Sequence, residues 1–460
     1  MSLISILKKH APNLPRPLGT AIAKTPFSLR PGFALAYRRA AATRRWFDEK
    51  ADPEERRRFI FERVRRIVEL ALADSTFYQR YYASQGFELG DLRSFDDVAS
   101  IPIVTKEMLR EVPLEERSRR KWGRTLTYTG GSTGEPFRFY SDSKQIGNEW
   151  AHMHYIWSQL GYQSDDLLLT IALAPEKKPV FYDALRHSLA LNIHYPRNEV
   201  ARAFLAIPEK RRRAAFYRGY PSAFAEILEY GESEAPEFLD ALRISLRGNF
   251  LASEYPLPQI RRVIERATNA PTISWYGLSE RVALAWERNT PYVYEPMQSY
   301  AYCETTTDAD GFVSLVGTSY FNEASPLIRY RIDDGVKILK TSDGILEAFE
   351  VREGRSCDYL IDKNGEKFSI THLNLSCRQE TWSIARCIQV EQPTPGKAIL
   401  WIVPKRDVCI DELARAFDFG NLNLDVEYRT IAQPFVSTRG KTLLKIDAAL
   451  RASCDARRDL

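Results

Sequence analysis

Thr127-Tyr128-Thr129-Gly130-Gly131-Ser132-Thr133-Gly134-Glu135-Pro136 is the stretch on which the reading of this chain turns. Alternating residues precede it from Arg124 to Tyr128, and Phe137 to Tyr140 read as a strand after it, so the layout is strand, loop, strand. A P-loop would run strand, loop, helix through GxxxxGK[ST], and no such motif exists. Gly440-Lys441-Thr442 imitates its end, but Phe435 stands where the first glycine belongs. GxGxxG is absent from the loop as well. Three glycines let backbone amides turn inward and approach an anion closely. Thr129, Ser132 and Thr133 add hydroxyls suited to phosphate oxygens. A purely structural hairpin is the competing explanation, yet two adjacent glycines, two hydroxyls and a further glycine exceed what a hairpin needs.

Outward from the loop, the chain alternates. Apolar runs at 167–174 and 312–317 are separated by helical runs such as 256–267, where Ile260, Val263 and Ile264 share a face. This interleaving predicts an α/β core. Upstream, 52–73 reads as a helix: Asp52 caps it, Pro53 suits its first turn and Glu55 completes a capping box. Its arginines lie mostly off the apolar stripe and read as a solvated face paired with acids, with a patch for an acidic surface as the alternative. Past residue 353 the texture is finer. A turn at Asn364-Gly365, strands near 384–391, 397–403 and 424–431 and a helix near 410–417 predict a small α+β unit. We place the boundary between Glu353 and Asp358, giving domains 1–353 and 354–460.

Composition removes several classes. With 460 residues, 44% apolar and 27% charged, the chain can bury a core without staples and is neither disordered nor a multi-span membrane protein. Its 65 basic against 60 acidic residues leave a net charge of +5, too mild to imply nucleic acid. Six scattered cysteines form no CxxC pair and fit a reducing cytoplasm. The apolar run ending at Leu7 is too short for a secretory core, and no run suggests a transmembrane helix. Residues 1–20 read as a docked or frayed terminus, or a weak interfacial helix. His152 and His154, two apart on a helix, point to opposite faces and are poor joint metal ligands. Arg211 to Arg213 read as a solvated helix face, or as a contact for ligand phosphates or an acidic protein. No pattern bears on oligomeric state.

Further blocks follow the loop in a fixed order: Ile101-Pro102-Ile103-Val104-Thr105-Lys106 ahead of it, then Gly219-Tyr220-Pro221-Ser222, Ala252-Ser253-Glu254, Trp275-Tyr276-Gly277-Leu278-Ser279-Glu280, Pro326 to Asp334, Gly354 to Asp358 and Arg439-Gly440-Lys441. Together they resemble the adenylate-forming superfamily of acyl-CoA synthetases and luciferase-like enzymes. The likeness is closer to phenylacetate-CoA ligase-like proteins, especially the subgroup linked with capsular polysaccharide biosynthesis. The resemblance covers about residues 75–450.

It implies a large N-terminal α/β domain of several subdomains, a small mobile α+β C-terminal domain, and ATP-dependent activation of a carboxylic acid with CoA as the acceptor. An amine or a carrier-protein thiol is the alternative acceptor, and a non-catalytic AMP-binding relative is a third reading. It also implies roles: Thr129 and Gly130, Gly131, Ser132, Thr133 and Gly134 for the phosphates, and Glu280 for Mg²⁺. Ser253, Glu254, Tyr276 and Gly277 would lie at the adenine, Asp334 at the ribose, Arg355 at the ribose or phosphate, and Lys441 at the reacting centre. Cys357 and Asp333 depart from the family pattern, Cys357 beside the expected hinge. The segment Arg281 to Tyr294 has no cysteine or histidine, so zinc is not implied.

Overall fold

A computed structural model describes residues 14–30, 32, 34–129, 137–172, 177–193, 195–309, 311–353, 359–369, 384–417, 423–435 and 444–458. The hairpin comes first: β1 (Thr125–Tyr128) pairs antiparallel with β2 (Arg138–Ser141), Tyr128 facing Arg138. The next twelve strands are β3 (Leu168–Ala172), β4 (Val180–Asp183), β5 (Ser188–Asn192), β6 (Phe216–Gly219), β7 (Gly248–Leu251), β8 (Thr272–Gly277), β9 (Leu284–Glu287), β10 (Val293–Pro296), β11 (Ala301–Thr307), β12 (Val313–Ser319), β13 (Tyr330–Ser342) and β14 (Ile345–Glu353). They form one sheet in the order 11-12-13-14-10-9-8-7-6-3-5-4. Strands β5, β3, β6, β7 and β8 run parallel to one another, and β4 lies antiparallel on β5 at the edge. From β8 outward to β11 every pairing is antiparallel. Strand β8 is the seam between the halves.

The parallel half reads as continuous apolar runs because both its faces are covered. Phe250 and Ile273 share one face, beneath helix Ser143–Ser158 with Ile156 and Trp157. Tyr217 and Leu251 share the other, beneath helices Pro221–Ser233 and Pro258–Thr268. Helix Pro53–Asp74 packs the antiparallel half through Ile60, Val64, Ile67, Val68 and Ala71. Its expected cap is present: Asp52 accepts from the Glu55 amide at 2.8 Å, and Glu55 accepts from the Asp52 amide at 3.0 Å. Three arginines of this helix pair with acids, Arg57 with Asp96, Arg65 with Glu69 and Arg66 with Glu323, whereas Arg56 donates to the Phe47 carbonyl and Arg63 lies over the Phe59 ring.

After β14, β15 (Tyr359–Ile361) and β16 (Lys367–Ser369) make a hairpin. The Asn364-Gly365 turn is there, with one difference. Gly365 alone takes a positive φ, 84°, and Asp362 Oδ1 accepts the Asn364 and Glu366 amides. A bonded acceptor at Asp362 shapes this longer loop, so the asparagine need not leave the ordinary region. Strands β17 (Ala385–Thr394), β18 (Lys397–Pro404), β19 (Asp425–Thr430) and β20 (Lys445–Ile446) then form a four-stranded sheet in the order 19-18-17-20, with helix Ile410–Ala416 against it. Leu360 belongs to the same apolar cluster as Val390, Leu400 and Leu413. The architecture is the expected one, a large mixed α/β part and a smaller α+β part. The proposed boundary residues 354–358 lie outside the described residues.

Candidate functional site

Ligand sites of open α/β sheets lie beyond the carboxyl ends of the parallel strands. Three of the ordered sequence blocks end up there side by side. Gly219 ends β6, Leu251 ends β7 just before Ala252-Ser253-Glu254, and Tyr276-Gly277 end β8. The pairings Gly219 with Leu251 and Leu251 with Ser274 bring the three ends into register.

Each end is shaped for close approach. Ser253 holds a left-handed φ of 72°, which turns its peptide groups out of the strand direction. At Gly277 a Cβ would meet no atom of the chain nearer than 3.5 Å. Its bare backbone therefore leaves the strand end open and relieves no internal clash. The Glu254 carboxylate is 7% exposed and accepts from the Ser222 hydroxyl at 2.6 Å and amide at 3.2 Å. It sits at the N-terminus of helix Pro221–Ser233, where a negative charge is favoured. The Glu254 side chain thus ties the second block to the first.

Across the seam, the Tyr276 hydroxyl donates to Asp334 Oδ2 at 2.7 Å, fixing the acid on β13 beside the aromatic ring. The ring meets Phe349 edge-on, with centroids 5.7 Å apart. Glu280 is 3% exposed; it accepts from the Tyr330 hydroxyl at 3.3 Å, and the Lys106 ammonium lies 3.5 Å from the same oxygen. Lys106 is held there because Val104 bridges Tyr330, with its amide bonded to the Arg329 carbonyl and its carbonyl accepting from Arg331. The block ahead of the loop is therefore threaded against the block that carries Asp334.

The loop is anchored to this same cluster. Phe137, its first described residue on the far side, stacks on Tyr330 with centroids 6.4 Å apart. Thr129 closes the neck: its amide donates to the Phe137 carbonyl at 3.0 Å, and its hydroxyl accepts from the Phe137 amide at 3.0 Å. Among the described residues the Thr129 hydroxyl proton has no acceptor. On the flank, Arg281 has φ 56° and donates to Glu149 at 2.9 Å and to Ser141 Oγ at 3.4 Å.

Of the residues singled out in the sequence, Thr129, Ser253, Glu254, Tyr276, Gly277, Glu280 and Asp334 converge on these strand ends. Gly130, Gly131, Ser132, Thr133, Gly134, Arg355, Cys357 and Lys441 lie outside the described residues. The sequence quoted Lys106 but gave it no role. Its pairing with Glu280 is a long-range contact that only the Val104–Tyr330 bridge reveals.

The residues set aside behave as structure. His152 is fully buried; its Nδ1 lies 2.8 Å from the Asn148 carbonyl and its Nε2 3.0 Å from Ser299 Oγ. A carbonyl only accepts, so Nδ1 carries the proton and Nε2 receives from Ser299. Burial pushes His152 down to about 4 and His154 to about 3. Among the described residues no cluster of three His, Cys, Asp or Glu side chains is placed to hold a metal. Of the 211–213 run, Arg213 pairs with Glu209 at 2.5 Å and Arg212 donates to the Leu205 carbonyl, so Arg212 is not simply solvated. Among the described residues no helix is long and apolar enough to cross a membrane.

No family model matches the chain. Phenylacetate-coenzyme A ligase of Escherichia coli (strain K12) is 24% identical over 345 residues, covering 68% of this chain and 74% of that protein. Protein CapK of Staphylococcus aureus is 22% identical over 298 residues, 61% of this chain and 63% of CapK. Among solved structures, 2-hydroxyisobutyryl-CoA ligase with 2-HIB-AMP and CoA superposes with a TM-score of 0.53, at 18% identity, over 88% of this chain and 93% of that one. That likeness speaks for the fold. Taken with the blocks that the fold gathers at β6, β7 and β8, these similarities identify the chain as an adenylate-forming, phenylacetate-CoA ligase-like protein of the subgroup that takes in CapK.

Proposed function

We propose that the chain spends ATP to activate a carboxylic acid and then passes the acyl group to the thiol of CoA. The observation that carries this reading is the convergence of three strand-end blocks beside the Tyr276–Asp334 hydrogen bond. In the first step a carboxylate oxygen attacks the α-phosphorus of ATP, the bond to the bridging oxygen breaks and pyrophosphate leaves. In the second, the thiol sulfur bonds to the acyl carbon, the thiol proton is released and AMP departs.

Two anions must meet in the first step, so positive charge and oriented donors have to be in place beforehand. The Tyr276 ring offers the adenine a flat face, and the turned backbone at Ser253-Glu254 and Gly277 can reach its edge. Asp334, already oriented by Tyr276, accepts from the ribose hydroxyls, and Arg355 serves the ribose or a phosphate. The amides of residues 130–134 and the Thr129 hydroxyl take the β- and γ-phosphates. Lys441 brings the cation to the reacting centre.

Mg²⁺ takes few protein ligands and keeps phosphate oxygens and waters. Glu280, a lone buried carboxylate with Lys106 and Tyr330 as its neighbours, fits such a site as one ligand among phosphate oxygens, and the ion would neutralise phosphate charge there. Residues 354–460 would act as a lid turning about the segment that holds Cys357.

The test is ATP–pyrophosphate exchange over a panel of aryl, fatty and amino acids, with the product weighed after adding CoA, an amine or a carrier-protein thiol. Acid-dependent exchange followed by a CoA thioester is the expected result. Exchange with transfer only to an amine or a carrier would move the acceptor to the surface-polysaccharide alternative. No exchange with any acid would leave a nucleotide-binding module.

A further inference from the structure

Strand pleating separates the two sides of this site. In β8, Tyr276 faces Phe349 and Asp334, whereas Trp275 faces the opposite side, towards Trp157 at 6.0 Å between centroids. Residue pairing puts Arg218 of β6 on the Trp275 side, since Arg218 aligns with Phe250 and Phe250 with Ile273. Its guanidinium lies over two indoles, 5.9 Å from the Trp150 centroid and 5.2 Å from that of Trp157.

Among the described residues Arg218 has neither an ion pair nor a hydrogen bond. The nearest acid acting on it, Glu149, is already bound to Arg281 at 2.9 Å. Two more polar atoms in the same cluster are buried without a partner, Trp157 Nε1 and His154 Nε2. Trp157 is completely buried. Arg218 is half-buried, and a guanidinium lying over two indoles without an acid of its own among the described residues recovers less of its lost hydration than a paired charge does. Arginine cannot shed its proton to escape this cost. One residue short of the end of β6, it is placed to meet a ligand entering between these strands.

We propose that Arg218 binds a second anionic group on the acid that is activated, so that the substrate is doubly acidic, with a flat or apolar body lying on Trp150 and Trp275. This rests on the adenylation reading and deepens it. The anionic tail is a carboxylate, a sulfonate or a phosphonate, and a guanidinium receives each through paired N–H bonds. Monoacids of the same shape leave this half-buried guanidinium unpaired and forgo its contribution to selection.

The experiment measures kcat/KM in ATP–pyrophosphate exchange with matched pairs: phenylacetate against 4-carboxyphenylacetate and 4-phosphonophenylacetate, and hexanoate against adipate. The wild-type protein should favour the better doubly acidic member at least tenfold. Arg218→Gln should reverse that preference while Arg218→Lys keeps its direction. Titration without ATP provides a reading independent of turnover: the same doubly acidic compound should quench tryptophan fluorescence in wild type and not in Arg218→Gln of unchanged thermal midpoint. A wild-type preference for monoacids, or an Arg218→Gln protein that loses both members of a pair equally, overturns this proposal and leaves adenylation standing. Exchange with no acid at all overturns both.

Discussion

The 2.7 Å bond from the Tyr276 hydroxyl to Asp334 separates what the ring does from what the hydroxyl does. Tyr276→Phe keeps the ring and removes the bond that orients Asp334. A hydrogen bond of this kind contributes about 1 kcal/mol net, so the KM for ATP should rise about fivefold. Tyr276→Ala removes the stacking face too, worth a further ~1–3 kcal/mol for a base on an aromatic ring, and the total rise should be about 30- to 900-fold. Asp334→Asn leaves a neutral acceptor for the ribose at a cost of about 1–2 kcal/mol, roughly 5- to 30-fold. Because Tyr276 and Asp334 touch, the double variant Tyr276→Phe/Asp334→Asn should fall short of the sum by about 1 kcal/mol. The assay is pyrophosphate exchange at saturating acid with ATP varied. The reasoning is refuted if folded Tyr276→Ala keeps its KM for ATP, or if the series moves the KM for the acid instead.

Three further outcomes are expected. Lys441→Ala should lower acid-dependent exchange by at least about 10²-fold, the scale of losing one preorganised electrostatic donor, and an unchanged rate would reject its role. In Gly317→Ala the new Cβ would stand 2.3 Å from the Val282 carbonyl oxygen. That overpacking should cost about 1–3 kcal/mol, read as a lower thermal midpoint, and should weaken exchange because Val282 is two residues from Glu280. Burial holds His152 at about 4, below its ordinary 6.5, so the fold favours the neutral ring. A base with a depressed folded pKa keeps its stability contribution above 6.5 and loses it as pH falls from 6.5 towards 4. Between pH 6.5 and 5 this one group should cost about 2 kcal/mol. Urea midpoints should therefore drop on acidification, and less in His152→Asn.

Local chemistry was legible in the sequence and long-range partnership was not. Asp52 and Glu55 announced their capping box because its members are three residues apart and the bonds are local. The small β-rich end was readable strand by strand for the same reason. The neighbours of β8 were not. Nothing in Thr272–Gly277 says that β7 will lie parallel on one side and β9 antiparallel on the other. Glu254 was assigned to the nucleotide as a whole residue, and only the fold shows its carboxylate committed to Ser222 at the start of helix Pro221–Ser233. Lys106 and Glu280, 174 positions apart, needed the bridge between Val104 and Tyr330 before either could be seen to matter to the other.

The alternation of Trp275 and Tyr276 has an evolutionary corollary. A single peptide unit divides the wall beside Asp334 from the wall beside Arg218 and the indoles. Drift at Trp150, Trp157, Arg218 or Trp275 can retune which acid is welcomed while leaving the machinery that handles the nucleotide undisturbed. A randomised library confined to those four positions is thus the natural route to new substrates on this scaffold.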